Sequence, residues 1–339
     1  MKAPFPGDDL EMASDRILRD NLVGRKVLVT GGTGFIGSHL VGQLAGLGAD
    51  VVAAGVGLGW RPVVRSLVRQ GKVRFVDLRT FWHPASLKRV APDFQGIEYV
   101  IHLAYEMPRG KTVAEKAIDD NVRNVIGTLR LIQHLPASVT KICFASSVSV
   151  YGSGFSQPVS ETDYPHPATV YAIGKLATER YLLQHAIEKD VSVSIMRFAT
   201  VYGSMETDPR AIPNFIREAL AGNSPVIRGD GEDVRDYVHI QDVVSATLRA
   251  LASVADKTQI YNIGSGNGYS TRQIAELILR LTGAGLQPIF RREDSVSSGV
   301  VCNIFHARAR LDYEPRMEIE EGLHDEILWF RSNPQFWKK

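Results

Sequence analysis

The chain of 339 residues contains little cysteine and no excess of charge of one sign. Its two cysteines are Cys143 and Cys302, and 39 basic residues stand against 37 acidic ones, for a net charge of +2. The sequence contains neither a CxxC pair nor a Cys/His cluster, so it predicts no metal site and favours a reducing compartment, the cytoplasm. A charge so close to balance provides no electrostatic footprint for a polyanion, and we expect no nucleic-acid partner.

Long apolar runs are lacking as well. The least polar stretch, residues 51–60, is rich in glycine and about half the ~20 residues that a membrane helix needs. Acidic residues stand where a secretion signal would need an apolar core: Asp8, Asp9, Glu11 and Asp15. We therefore expect no membrane association and no export. With 44% hydrophobic and 22% charged residues, the composition is typical of a soluble globular protein.

Short apolar runs alternate with longer helix-like segments between Lys26 and Phe198. The runs are continuous and β-branched, which is typical of strands that are covered on both faces. Strands separated by helices predict right-handed βαβ crossovers and a doubly wound parallel α/β sheet, the Rossmann architecture. The runs lie at residues 27–29, 51–53, 73–76, 99–103, 142–145 and 193–196.

The pattern changes after Phe198, where glycine, proline and charge become frequent. We predict a Rossmann domain over residues 25–198, with segments near 237–263 returning to its sheet, and a smaller substrate-binding lobe over most of residues 199–339. Residues 1–24 form an amino-terminal extension. Ser14 is placed to cap a short helix that ends at Leu22, and the favoured interpretation of this extension is a flexible tail.

A glycine-rich turn follows the first predicted strand directly and opens a helix over residues 35–47. Its glycines are suited to a tight bend, to close approach of the backbone to a pyrophosphate, and to contact between helix and strand. The amino terminus of that helix presents free amides and a positive dipole to phosphate groups. The turn therefore predicts dinucleotide binding by Gly31, Gly34, Phe35, Ile36 and Gly37.

The end of the second strand leaves the choice between NAD and NADP open. An acidic residue there would bind the adenosine ribose and favour NAD, but the sequence has Gly55. Arg61 or Arg65 would suit the 2′-phosphate of NADP, unless both are solvated residues of a helix face. Asp77, at the end of the third strand, is placed to reach the adenine amine, and we assign it and the adjoining Leu78 to the cofactor site.

Tyr171 and Lys175 stand four residues apart in a helix-like run, so both face the same side. A free tyrosine has a pKa of about 10, and a lysine ammonium one turn away stabilises the phenolate. Lowering that pKa by about three units takes roughly 4 kcal/mol. Ser147 follows the fifth strand, at the functional edge of a parallel sheet, where its hydroxyl can hold a substrate oxygen in line with Tyr171. Together these residues predict proton transfer at a sugar hydroxyl.

At these residues the chain resembles the extended short-chain dehydrogenases/reductases, in particular the nucleotide-sugar epimerases and dehydratases. The resemblance runs from about Lys26 to Phe330. Its landmarks are residues 30–37 (TGGTGFIG), 100–104 (VIHLA), 124–128 (NVIGT), 146–152 (SSVSVYG), 171–175 (YAIGK) and 235–239 (RDYVH).

The resemblance implies roles for individual residues. Ser147, Tyr171 and Lys175 are then catalytic, and Lys175 also holds the nicotinamide ribose. Cofactor contacts come from Leu103, Ala104 and Asn124, whereas Arg235 binds the diphosphate of a nucleotide-diphosphate sugar. The family usually has Asn where this chain has Thr200, so that substrate contact is shortened or lost. The family also implies a homodimer formed by the helices over residues 112–135 and 169–189.

Three functions compete. The 4,6-dehydratases of the family carry Asp-Glu directly after the catalytic hydroxyl residue, and Val148 and Ser149 stand here instead, which disfavours dehydration by that route. The overall pattern narrowly favours a nucleotide-sugar 4-epimerase that acts through a transient 4-keto sugar. Gly55 and the arginines after it favour an NADPH-dependent 4-ketoreductase acting on a 4-keto-6-deoxy sugar. A cofactor-binding sensor without turnover is the third hypothesis, which the complete Ser-Tyr-Lys set disfavours.

Overall fold

The computed structural model describes residues 13–78, 89, 91–155, 158–253, 258–292 and 299–338. Twelve strands lie within these ranges: β1 (Lys26–Thr30), β2 (Asp50–Gly55), β3 (Val73–Asp77), β4 (Tyr99–His102), β5 (Lys141–Ser147), β6 (Ser192–Phe198), β7 (Thr200–Tyr202), β8 (Val226–Arg228), β9 (Val234–His239), β10 (Thr258–Ile263), β11 (Gly268–Ser270) and β12 (Ile289–Arg291).

A parallel sheet of seven strands forms the centre of the molecule. Its order is β10-β6-β5-β4-β1-β2-β3, so the direction of winding reverses between β1 and β4. The crevice outside the carboxyl ends of the strands at such a reversal is the usual ligand site of doubly wound sheets. The predicted α/β Rossmann fold is confirmed, and this reversal determines where the site must be sought.

The helices are α1 (Ala13–Leu22), α2 (Phe35–Gly46), α3 (Pro62–Arg69), α4 (Val113–Asp120), α5 (Ile126–His134), α6 (Val170–Lys189), α7 (Ala211–Leu220), α8 (Ile240–Ala252), α9 (Thr271–Thr282), α10 (Phe305–Leu311) and α11 (Ile319–Ser332). Some of them cover both faces of the large sheet, whereas α7, α9 and α11 belong to the second lobe. Val27 and Val29 pack into one core with α2 and α8, whereas Leu28 packs into a second core with α5 and α6. Burial on both faces explains why the strand sequences are apolar without alternation.

The second lobe is smaller. It has a three-stranded sheet in the order β11-β9-β7, a parallel pair of β12 and β8, and a core formed largely by α7, α9 and α11. The chain returns to the large sheet after β9, because α8 packs on it and β10 pairs with β6. The segment around residues 237–263 therefore contributes to both lobes, since β9 pairs within the small sheet and β10 within the large one.

Two predictions about local structure differ from what is observed. Residues 13–22 are not a detached tail, because α1 packs on the protein's own core with Leu22 fully buried and Leu18 nearly so; the rest of the predicted tail, residues 1–12, lies outside the described residues. The helix expected over residues 112–135 is interrupted, since residues Asn121–Val125 form a π-helical turn between α4 and α5. Such a turn carries an extra residue and commonly occurs at functional sites.

Candidate functional site

The glycine turn brings the start of α2 against the end of β4. A side chain at Gly31 would place its Cβ 2.9 Å from the backbone N of Ala104, and one at Gly37 would place it 2.1 Å from the carbonyl O of Gly31. No side chain caps the amides at the start of α2, which follow Gly34. A close-packed backbone cradle with free amides fits the pyrophosphate of a dinucleotide.

The residues after β4 are bonded to the end of β1 beside this turn. The backbone N of Leu103 donates to the carbonyl O of Thr30 at 3.1 Å, and that of Ala104 donates to the Thr30 hydroxyl at 3.3 Å. Asn124 holds Glu106, two residues after Ala104, since its side chain bonds both the N–H and the C=O of Glu106, at 2.9 and 2.8 Å. The structure thus assembles Leu103, Ala104 and Asn124 along one wall of the crevice.

On the adenosine side of the crevice, Arg61 is already hydrogen-bonded within the protein. Arg61 is 9% exposed and donates to the carbonyl oxygens of Thr33 and Met205, each at 3.2 Å, and burial lowers the pKa of its guanidinium. It therefore holds the glycine turn against the segment after β7 and is not presented to a 2′-phosphate. A Cβ at Gly55 would lie 2.5 Å from the Thr33 hydroxyl oxygen, which explains why no acid stands there.

The remaining adenosine-side predictions fall at the carboxyl end of β3. Asp77 is its last residue and pairs with Gly55 across the sheet. The backbone N of Leu78 donates to the carbonyl O of Gly55 at 2.8 Å, and the Leu78 side chain is buried in the core. Asp77 is partly exposed at the rim of the crevice. A contact from Leu78 to a nucleotide would therefore have to come from its backbone.

Ser147, Tyr171 and Lys175 converge next to this crevice. Ser147 is the last residue of β5, and Tyr171 and Lys175 lie one turn apart in the first half of α6, whose first turn is capped by the Thr169 hydroxyl at 3.2 Å from the N of Ala172. The Lys175 Nζ lies 5.8 Å from the centre of the Tyr171 ring and donates to the carbonyl O of Ala145 at 2.6 Å.

The protonation equilibria of this group are shifted strongly. Burial raises the pKa of the Tyr171 phenol; the Ser147 hydroxyl and the charge of Arg210 oppose that shift, and Asp120 adds to it. Burial lowers the pKa of Lys175 to about 7, against the opposing charges of Asp120 and Glu179. A phenol and an amine with shifted pKa values in one crevice form a typical proton-transfer site.

A cavity of about 310 Å³ is lined by residues of the second lobe, and the charge of one of them, Arg210, acts on the Tyr171 phenol. Its wall includes Thr200 from β7, Arg210 at the start of α7, and Arg235 from β9. Arg235 donates to Asp233 at 3.0 Å, and Arg210 is paired with Glu206, a buried carboxylate whose pKa burial raises. Two guanidinium groups in one cavity suit an anionic ligand.

Four residues of the site were not predicted from the sequence. Tyr105 contacts both Lys175 and Tyr171, Asp120 is buried behind it, and Glu206 and Arg210 line the second-lobe cavity. The position of Tyr105 directly after Leu103 and Ala104 was a usable signal. The other three gave none, because each resembles an ordinary helix or loop residue in the sequence.

The fold and the site define a dinucleotide-binding α/β enzyme with a Ser-Tyr-Lys proton-transfer group. In agreement, the profile of the NAD-dependent epimerase/dehydratase family matches residues 27–264. A UDP-glucose 4-epimerase of Mycolicibacterium smegmatis is 34% identical over 319 residues, which cover 91% of this chain and 100% of that protein. The chain belongs to the NAD-dependent epimerase/dehydratase family, as the resemblance implied, and its cofactor is NAD.

Solved structures agree with this assignment. The UDP-glucose 4-epimerase of Thermotoga maritima in complex with UDP-glucose has a TM-score of 0.82 and 32% identity, over 91% of this chain and 99% of that one. MoeE5 in complex with UDP-glucose and NAD has a TM-score of 0.79 and 32% identity over the same shares. The same protein in complex with UDP-glucuronic acid and NAD gives 0.77.

Two further findings concern the described residues alone. No helix among them is long and apolar enough to cross a membrane. Within the same residues, no group of His, Cys, Asp and Glu side chains is arranged to hold a metal ion.

Proposed function

We propose that the protein is an NAD-dependent 4-epimerase of a nucleotide-diphosphate sugar, with a UDP-hexose as substrate. The observation that carries this proposal is the convergence of Ser147, Tyr171 and Lys175 beside the crevice, together with the charge of Arg210, a residue of the second-lobe cavity, on the Tyr171 phenol. The relatives named above act on or bind UDP-sugars, whose diphosphate is a suitable partner for the Arg235 guanidinium.

Each side chain has a defined part in the reaction. Ser147 holds the C4 hydroxyl of the sugar, and Tyr171 accepts its proton as the carbinol is oxidised to a ketone. NAD, held by the glycine turn and by Lys175, would supply the hydride acceptor for C4 and a positive charge next to the phenolate. Tyr171 then donates the same proton to the ketone oxygen after the sugar has turned its other face. Protons and hydride balance over the cycle, so no external reductant is consumed.

The structure weakens two alternative reactions. A buried Arg61 bonded to two backbone carbonyls does not serve NADPH, which removes one support for a 4-ketoreductase. Dehydration would need a general acid and base at positions 148 and 149. Val148 and Ser149 lie there in a 3₁₀ turn, and the Ser149 hydroxyl is buried.

Retention of cofactor separates an epimerase from a ketoreductase. We expect the purified protein to interconvert UDP-glucose and UDP-galactose without added cofactor, with no net change in absorbance at 340 nm. Steady consumption of NADPH with a 4-keto sugar would instead establish the ketoreductase. Tyr171→Phe should retain NAD and lose activity by at least about a hundredfold, since general acid–base groups typically contribute that much. Full activity in this variant would refute the role of Tyr171, whereas binding of NAD and UDP-sugar by the parent protein without measurable turnover would leave only the sensor hypothesis.

The two arginines divide the substrate between them in this proposal. Arg235 binds the diphosphate, and Arg210, whose charge acts on the Tyr171 phenol, lies on the side of the reacting sugar. A guanidinium there would pair with the carboxylate of a hexuronate, and MoeE5 has been crystallised with both UDP-glucose and UDP-glucuronic acid. The substrate panel should therefore contain both. Arg210→Leu would raise the KM for UDP-glucuronic acid more than that for UDP-glucose if the enzyme acts on the acid.

The proposal includes a homodimer. The outer face of α6 carries the exposed apolar residues Ile173, Tyr181 and Ile187. On α4, which packs against α6, Ile118 is 67% exposed. A second copy that buries this stripe would form a four-helix bundle. Ile173→Asp should therefore give a monomer by light scattering, and Phe305→Asp, an exposed residue on α10, is the control. A monomeric parent protein would disprove the dimer.

We also propose a cytoplasmic location. Cys143 and Cys302 are both buried free thiols, as expected in a reducing compartment.

A further inference from the structure

Tyr105 follows Ala104 in the chain and packs against α6, the helix that carries Tyr171 and Lys175. Its ring packs edge-to-face on Tyr171, with the ring centres 5.2 Å apart, and its hydroxyl lies 3.3 Å from the carbonyl O of Tyr171. The same hydroxyl donates a hydrogen bond to Asp120. A residue outside the Ser-Tyr-Lys set therefore contacts two members of the site and one buried carboxylate.

Asp120 is fitted closely into this position. It is 1% exposed, and its Oδ1 also accepts a hydrogen bond from Asn124 at 2.8 Å. Its Oδ2 lies against Gly174, where a Cβ would stand only 1.9 Å away. A glycine one residue before Lys175 thus allows a negative charge to approach the catalytic helix.

Lys175 presents its ammonium to the face of the Tyr105 ring. Its Nζ is 3.9 Å from the ring centre, and Lys175 is 3% exposed. None of the salt bridges found among the described residues includes Lys175. A desolvated cation over an aromatic face is stabilised by the ring quadrupole, and a phenol that donates to a carboxylate has a more electron-rich ring. Asp120 therefore bonds the hydroxyl at the edge of the Tyr105 ring, while the Lys175 ammonium lies over the face of the same ring.

We propose that Tyr105 and Asp120 are positioning residues that hold Lys175 in its charged form, with Asp120 orienting the ring and the ring contacting the ammonium. The proposal rests on the catalytic role of Lys175 proposed above. Without this support, burial would lower the pKa of Lys175 further. The amine would then lose its proton at a lower pH and would no longer assist Tyr171. The titratable groups that face Lys175 are Asp120 on α4, Tyr171 and Glu179 on α6, Tyr105 after β4, and His102 on β4.

The test is the dependence of kcat and kcat/KM on pH in the NAD-loaded enzyme. Activity falls as pH rises through the pKa of an amine that must be charged. Tyr105→Leu removes the aromatic face, so the alkaline limb should move to lower pH by about one unit. Tyr105→Phe keeps the face and should move it less.

Asp120→Asn provides a second arm with a matched control. Asp120 raises the pKa of both Lys175 and Tyr171, so the asparagine should move the alkaline and the acid limbs together to lower pH. Asp119→Asn makes the same charge change one residue away, at a side chain paired with Arg123, and should move neither limb. Equal shifts in both variants would overturn the proposal, as would loss of activity with an unchanged profile.

A direct titration separates this proposal from the proposed function. In protein labelled with ¹³C-lysine, the Lys175 Cε resonance, assigned by its absence in Lys175→Met, reports the pKa of the amine without turnover. A lower pKa in Tyr105→Leu and in Asp120→Asn supports the proposal even if UDP-hexoses are not substrates. An unchanged pKa in both variants disproves it even if the enzyme is an epimerase.

Discussion

Glu179→Gln should destabilise the protein by several kcal/mol, because Glu179 ties the catalytic helix to the large sheet. Its carboxylate accepts hydrogen bonds from Arg197 Nε at 3.1 Å and Nη2 at 2.7 Å, and a further one from the Ser146 hydroxyl. The side chains of Glu179 and Arg197 are 1% and 2% exposed. These bonds join α6 to β5 and β6, one turn beyond Lys175.

The magnitude follows from the burial of the pair. Removing one charge of a buried, hydrogen-bonded ion pair costs about 3–5 kcal/mol, since the other charge stays buried without its partner. The total free energy of unfolding of a domain is about 5–15 kcal/mol, so a loss of this size should be easy to measure. Arg197 keeps one neutral partner, the Tyr151 hydroxyl at 2.9 Å, which does not compensate a missing carboxylate.

The assay is urea unfolding followed by circular dichroism, at one fixed concentration of NAD, because bound cofactor adds to the apparent stability. Glu98→Gln is the control. Its carboxylate bonds Arg25 at 2.5 Å, but the two side chains are 31% and 48% exposed, and such surface pairs contribute about 0–1 kcal/mol. If Glu179→Gln lowers the free energy of unfolding no more than Glu98→Gln does, the buried pair does not anchor α6.

Three further outcomes are expected. Gly37→Ala should abolish NAD retention or folding, because the added Cβ would stand 2.1 Å from the Gly31 carbonyl O; retention of NAD can be measured by mass spectrometry, and an unaltered content would contradict the tight turn. Ser147→Ala removes a hydrogen bond that lowers the Tyr171 pKa, so the acid limb of the kcat/KM profile should move to higher pH; a limb that stays in place would contradict this role. Burial lowers the pKa of His102 to about 3, so below about pH 6.5 the unfolded state binds more protons and the free energy of unfolding decreases as the pH is lowered. In His102→Gln this decrease between pH 6 and 4 should be smaller, and an equal slope would refute the prediction.

The sequence predicted the frame of the site well, because that frame depends on local patterns. Continuous β-branched runs are typical of doubly covered strands, and glycines at Gly31, Gly34 and Gly37 are required by the close approach of the backbone. Four-residue spacing placed Tyr171 and Lys175 on one face of a helix, and the observed α6 begins within one residue of the predicted start.

Local sequence patterns did not reveal the contacts of the residues that surround the Ser-Tyr-Lys group and the glycine turn. Asp120 is an ordinary helix acid in the sequence, and only the tertiary contact with Gly174 shows that its charge lies against α6. The position of Arg61 after β2 is compatible with a phosphate contact, and only its bonds to Thr33 and Met205 assign it to structure. Long-range partners of this kind are separated by tens of residues or more, so periodicity and spacing give no information about them.

The π-helical turn at Asn121–Val125 has a consequence for how this region can change in evolution. One residue of an α-helix corresponds to about 100° of rotation, so deleting a single amino acid here would turn Asp120 away from α6 while Thr128 stayed on His102. Side chains in this stretch can be exchanged one by one, but its length is fixed. Homologous chains that lack the extra residue of this turn would need an acidic residue from a different part of the sequence next to their lysine.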